Sequence, residues 1–233
     1  LGVDQEYTLR VSKRAKYARL QMSLREGLVV VVPKGFDRKR IPALLEKKRS
    51  WIEKVSRQYE AQRRLAPQDP MPGRIDLRGI AEVWRVDYRT GAAQRVLEQP
   101  GSRLWVPDGT GDIESVQAAL RRWLRRKAHR HLKPWLRHLA EENGFRVGRI
   151  FIKSQRTRWG SCSEKKNVNL NMKLLFLPEA LVHYVMFHEL CHTVVLNHSK
   201  KFWALVAAHE PHYAARRKAL RDAWKYVPAW VEG

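Results

Sequence analysis

Two histidines four residues apart, in the stretch "HELCHTVVLNH" at 188 to 198, constrain this chain more than any other feature. On a helix His188 and His192 share one face, a turn apart, where both imidazoles can meet one ion. The flanks "YVMF" and "TVV" are apolar, so this helix, expected over about 179–196, must run through a core. Imidazoles without partners are costly there. His198 lies six residues beyond His192, too far for the same helical face but within reach of a chain that turns back. Asn197 suits such a turn, and Ser199 can cap a following helix from Lys200 to about 208.

A catalytic zinc site needs three protein ligands and an open position for water. His188, His192 and His198 are the leading set, with one zinc per chain expected. Glu189 stands beside them, where a carboxylate can take a proton from metal-bound water and return it to a leaving amine. His209, Glu210 and His212 in "AHEPHY" offer a rival third ligand, and Glu210 would make the arrangement gluzincin-like. The loop "QRTRWGSC" supplies Arg156, Arg158 and Trp159 as candidate substrate contacts. In the strand that follows, Val168, Leu170 and Met172 alternate with Asn169, Asn171 and Lys173, the pattern of an edge strand beside a cleft. Asn169 and Asn171 are therefore candidate substrate contacts too.

The rest of the chain reads as α+β. Ala18, Leu20, Met22 and Leu24 alternate, and "GLVVVVP" continues them as a hairpin. Leu44, Leu45, Trp51, Ile52 and Val55 mark a helix over about 42–66, closed by Pro67, Pro70 and Pro72. Strand-like text over about 75–107, with turns near Thr90–Gly91 and Pro100–Gly101, suggests a small meander. A helical pattern spans 113–142, interrupted or kinked near Pro134, and a strand is expected at about 147–153. The expected division is a β-rich N-terminal region, 1–110, with one long helix, followed by a catalytic domain, 111–233.

Charge adds a second theme. Lys and Arg number 46 against 23 Asp and Glu, a formal +23 that favours polyanions. Between Ala118 and Ala140 lie eight basic residues and no acidic one, and Arg122, Arg125, Arg126, Lys133 and Arg137 form a candidate nucleic-acid surface. A solvated helix face is the competing reading. No apolar run approaches the roughly 20 residues of a bilayer span. The opening "LGVDQEYTLR" has no secretory pattern, and two cysteines make no disulfide framework, so a cytoplasmic protein without membrane contact is expected.

The segments "SKRAKYARLQM", "VVVVPKG", "LEKKRSWI", "RTRWGSCS", "NVNLNMKLLFLP" and "HYVMFHELCHTVVLNHSKKFW" occur in this order. On them the chain resembles the bacterial and archaeal YgjP-like metal-dependent hydrolases, akin to SprT-like and Spartan metalloproteases. The resemblance implies a zincin-like metallopeptidase core with an HExxH helix and a small antiparallel sheet. It also implies His188, His192 and His198 as zinc ligands with Glu189 as general base. The spacing of His192 and His198 equals that of metzincins, but Val195 stands where those place glycine, so this helix must end by another route. SprT-like proteases place their third histidine farther along and are associated with DNA.

The function expected is zinc-dependent hydrolysis of peptide bonds in a peptide or protein substrate, by Glu-assisted attack of zinc-bound water, near nucleic acid. Arg156 or Arg158 would hold the substrate or the developing oxyanion. Hydrolysis of a non-peptide amide is one alternative. The other is a nucleic-acid-binding protein with a structural metal, which would require a fourth filled ligand position.

Overall fold

The computed structural model describes residues 6–12, 15–23, 27–65, 69–90, 95–108 and 112–232. Two compact units divide the chain, residues 1–65 and 66–233.

In the first unit β1 (Tyr7–Ser12), β2 (Arg19–Ser23) and β3 (Gly27–Pro33) form one sheet in the order β1-β3-β2. The expected hairpin of β2 and β3 is antiparallel, while β1 runs parallel to β3. Because β3 is central, its apolar run from Leu28 to Val32 is buried throughout. The helix expected over 42–66 is broken at Lys48 into α1 (Ile41–Lys47) and α2 (Arg49–Leu65). Ile41, Leu45 and Ile52 pack with Leu28, Val30 and Val32 into the core of this unit. Leu24, Pro67 and Gly91, which entered the expected strand, helix end and turn, lie outside the described residues.

The second unit begins with β4 (Arg74–Leu77), β5 (Glu82–Arg89), β6 (Leu97–Gln99) and β7 (Arg103–Pro107). Their order, β4-β5-β7-β6, is not a meander, since β5 and β7 pair in parallel and β6 folds back at the edge. Asp112 caps α3 (Ile113–Glu142) by accepting from the backbone N–H groups of Glu114 and Ser115, and the helix continues through Pro134.

The division falls after Leu65 rather than near residue 110 because α3 lies on this sheet. Trp123 meets Trp84 edge-on at 5.8 Å and donates its indole N–H to Glu98 at 2.9 Å. Lys127, 5% exposed at its side chain, pairs with Glu82 at 2.8 Å and Glu98 at 3.4 Å. A buried ammonium needs such partners, so the 74–107 sheet and α3 cannot belong to separate cores.

Beyond α3 come β8 (Ile150–Lys153), β9 (Gly160–Cys162) and β10 (Val168–Asn171), in the order β8-β10-β9. This small sheet is mixed, not antiparallel throughout: β10 is parallel to β8 and antiparallel to β9. Three α-helices follow: α4 (Glu179–His192), α5 (Lys200–His209) and α6 (Tyr213–Arg221). Among the described residues, no helix is long and apolar enough to cross a membrane.

Candidate metal centre

Helix α4 carries the HExxH stretch and is apolar on nearly every side. Leu181, Val182, Val185, Met186, Phe187 and Leu190 are all buried, as expected of a helix enclosed by other elements. Glu179 in its first turn faces the positive end of the helix dipole. His188 and His192 are thereby delivered at a rigid element's C-terminal end, with ring centroids 4.8 Å apart.

The helix ends at Thr193, earlier than expected and without glycine. Thr193 keeps helical angles, and the backbone N–H groups of Val194 and Val195 both close onto the Cys191 carbonyl. This tightened turn brings the Val195 carbonyl within 3.1 Å of His192 Nδ1. A carbonyl only accepts, so Nδ1 carries the proton and Nε2 keeps its lone pair for a ligand. Asn197 then accepts the Ser199 N–H at 3.2 Å, while Ser199 makes no side-chain cap. The returning turn thus rests on Asn197. Phe202, fully buried on α5, stacks on His192 at 4.3 Å and stands 4.8 Å from His198.

The result is a three-histidine cluster in which ligand nitrogens of His188, His192 and His198 all lie within 4.8 Å of one another. His188 Nε2 and His198 Nε2 are 3.2 Å apart. Two nitrogens bound to one tetrahedral zinc at its usual bond length stand about 3.3 Å apart, so this pair fits a metal without rearrangement. Burial, together with the neighbouring His192, His198 and Arg217, pushes the His188 imidazole down to about 3. Burial also lowers His192, where proximity to His198 adds to it and the Val195 carbonyl opposes it. Both rings are therefore held neutral, the form that ligates metals.

Glu189 is buried, and its Oε2 has no hydrogen-bond partner; His188 Nδ1 is likewise buried and unpartnered. Burial pushes the carboxyl up to about 8, with Arg158 acting in the opposite direction. Such unsatisfied atoms ordinarily cost about 1–3 kcal/mol each, and functional sites are where proteins tolerate them. Glu189, His188 and His198 face a cleft of about 630 Å³, whose walls also include Arg158, Trp159, Gly160, Tyr184, Trp203 and Arg217.

Residues 16–223 match the YgjP-like family, metallopeptidase domain. The chain belongs to the YgjP-like family. The match spans most of the sequence and includes the histidine cluster, both arms of the cleft and most of the first unit. The YgjP-like chain is thus a metallopeptidase-type hydrolase, and its family implies a metal cofactor for which the three histidines are a suitable donor set. No curated protein and no solved structure matches it.

The remaining candidates separate by position. Glu210 is 1% exposed and is taken up by His183 and Arg216, so the rival gluzincin-like ligand set does not assemble. Phe187 stacks on His209 with centroids 5.2 Å apart, and His212 precedes α6. Arg158 and Trp159 line the cleft; Arg156 is exposed outside its wall. Trp159 is buried with its ring stacked on Trp224 at 4.2 Å, so it shapes the wall more than it projects into it.

The expectation of an edge strand at 168–173 is corrected, because β10 is central and β8 and β9 are the edges. Asn171 is fully buried and donates to the carbonyls of Gln155 and Arg158, both at 2.8 Å. Asn169 donates to Ser161 Oγ at 3.1 Å across the sheet. Two asparagines that alternate like exposed positions are thus cross-strand and loop fasteners.

Sequence reasoning missed Tyr184, Trp203 and Arg217. Tyr184 had a signal, since it precedes His188 by one helical turn on the same face. Arg217, whose guanidinium sits over the Trp203 ring at 4.5 Å, had none, because α6 reaches the cleft only through tertiary packing.

Proposed function

We propose that this YgjP-like chain is a zinc-dependent metallopeptidase with a zincin-like core. His188, His192 and His198 hold one zinc ion, and Glu189 is the general base for cleavage of a peptide bond. The observation that carries this reading is a buried glutamate, its Oε2 without a hydrogen-bond partner, beside three clustered histidines at an open cleft.

A zinc ion bound there supplies Lewis acidity, polarising a carbonyl and making water easier to deprotonate. Glu189 takes the water's proton on its carboxylate and later releases it to the leaving amine. The Val195 carbonyl holds the His192 ring in the tautomer that leaves Nε2 free. Arg158 and Arg217, at the cleft wall, place positive charge where a substrate carbonyl becomes an oxyanion. Phe202 and Trp203 pack against the histidine rings on the α5 side.

Three histidines with an adjacent base support this reading over a closed structural metal site, which needs four ligands. We further propose that the enzyme works near nucleic acid, through α3. Arg122, Arg125, Arg126 and Arg137 are exposed on that helix and Lys133 is partly so. The test of the main reading is cleavage of a peptide library against simple amides, with chelator and with zinc restored. Peptide products that vanish with chelator and return with zinc are the expected result; hydrolysis confined to the simple amides overturns the peptidase assignment.

A further inference from the structure

Gly160, the first residue of edge strand β9, lies against the carboxylate of Glu189. A Cβ built on Gly160 would stand 2.6 Å from Glu189 Oε1, 2.7 Å from Cγ and 2.9 Å from Cδ. Contacts that short do not occur between a real Cβ and its neighbours, so any side chain at 160 must displace Glu189 or move the strand. Glu189 Oε2 has no hydrogen bond to hold it, which leaves packing to fix where the carboxylate points.

The strand is in turn fastened. Asn171, with 0% exposure, donates its backbone N–H to the Trp159 carbonyl at 2.8 Å. Its Nδ2 donates to the Gln155 and Arg158 carbonyls, and its Oδ1 accepts the Lys173 N–H at 3.1 Å. One buried asparagine therefore grips the loop on both sides of Arg158 and delivers Gly160 to Glu189. Trp159 stacked on Trp224 anchors the same loop to the residues following α6.

We propose that Gly160 is a positioning residue for the catalytic base. The bare backbone of β9 forms the wall that aims the Glu189 carboxylate at the reacting water, and Asn171 holds that wall in place. The RTRWGSC loop is then part of the proton-transfer apparatus as well as a cleft border. The inference rests on the assignment of Glu189 as base.

The experiment compares Gly160→Ala, Glu189→Gln, Glu189→Ala and Gly160→Ala/Glu189→Ala with the parent. It uses the peptide of a quenched-fluorescence library that the parent cleaves fastest. Because misplacing a reacting group by about 1 Å can cost on the order of a hundredfold, kcat should fall at least about tenfold in Gly160→Ala. KM should stay within about twofold, and zinc content by elemental mass spectrometry should not change. Thermal melting supplies a readout independent of activity: removing the carboxylate removes the collision, so Gly160→Ala should destabilise the Glu189→Ala background less than the parent.

Parental kcat in Gly160→Ala beside an inactive Glu189→Gln overturns the positioning role and leaves the base assignment standing. Activity in Glu189→Gln removes the base assignment, and this inference with it. Zinc loss in Gly160→Ala, or equal destabilisation in both backgrounds, also overturns it. If Gly160→Ala alone fails to fold, the melting of the double variant against Glu189→Ala decides by the same criterion.

Discussion

His188 Nε2 and His198 Nε2 lie 3.2 Å apart, although the two residues are ten positions apart in the chain, across a helix end. The Val195 carbonyl on His192 and the Asn197 side chain on Ser199 bring this about. The turn that carries the third histidine is thus tied to the helix that carries the other two.

Replacing His198 with Ala should therefore sharply reduce bound zinc while α4 and its core remain. One of three protein ligands is removed from an exposed turn, so fold should suffer less than affinity. Zinc titration against a competing chelator, with circular dichroism on the same samples, reads both. Unchanged zinc affinity would sink the ligand assignment.

Glu189→Gln should abolish peptide cleavage with zinc and fold retained. Glutamine keeps most of the shape but cannot accept a proton. It also replaces a buried carboxyl by a neutral amide, so melting should not fall greatly. Turnover at the parental rate in purified protein would exclude Glu189 as base.

Glu210→Ala should keep one zinc per chain but lower the melting temperature. Glu210 is buried and bonded to His183 and Arg216, whose side chains stay partly exposed, so deleting the carboxylate removes its hydrogen bonds at a cost of about 1–3 kcal/mol. Loss of zinc at a temperature where the variant is folded would return Glu210 to the ligand set.

Acid stability should depend on Glu98. Burial raises its pKa, but the Trp123 indole N–H and the charges of Lys127 and Arg130 outweigh that and leave it lowered. A carboxyl with a lowered folded pKa binds fewer protons folded than unfolded. It stabilises the fold above the unfolded pKa, and that contribution is lost as pH falls through the folded value. Glu98→Gln should therefore show a shallower loss of melting temperature than the parent on acidification from about pH 6 to about pH 3. Parallel curves would contradict this.

Nucleic-acid binding, if it runs through α3, should weaken in a variant with Gln at Arg122, Arg125, Arg126, Lys133 and Arg137. Each lost phosphate contact should reduce the logarithmic salt slope by about one. The eight basic residues of the helix are not equally free, since Lys127 is buried, Arg121 and Arg126 donate to the Trp230 and Val96 carbonyls and Arg130 pairs with Glu98. Fluorescence anisotropy at several salt concentrations, against five matched neutralisations in the first unit, separates a surface from bulk charge. Equal loss in both variants assigns the effect to net charge alone.

Much of the layout was legible in the text. Helical spacing of Leu120, Trp123, Leu124, Leu132, Leu136 and Leu139 marked α3, and the alternation around Leu20 and Met22 marked β2. The strand pairings were less so. Parallel β5 and β7, and β10 at the centre of its sheet, depend on partners that lie elsewhere in the chain. The Asn169 and Asn171 alternation looked solvent-facing because a buried asparagine is distinguishable from an exposed one only by its partners.

By itself the sequence determined that His188 and His192 share a helical face, that a turn follows them, and that Glu189 stands beside them. These are relations within a few residues, set by helix period and turn chemistry. Only the tertiary structure decided that Gly160 abuts Glu189, that Arg217 reaches the same cleft and that Glu210 is consumed by His183 and Arg216. Those relations join distant segments through close packing, and no local period encodes which backbone will press against which side chain.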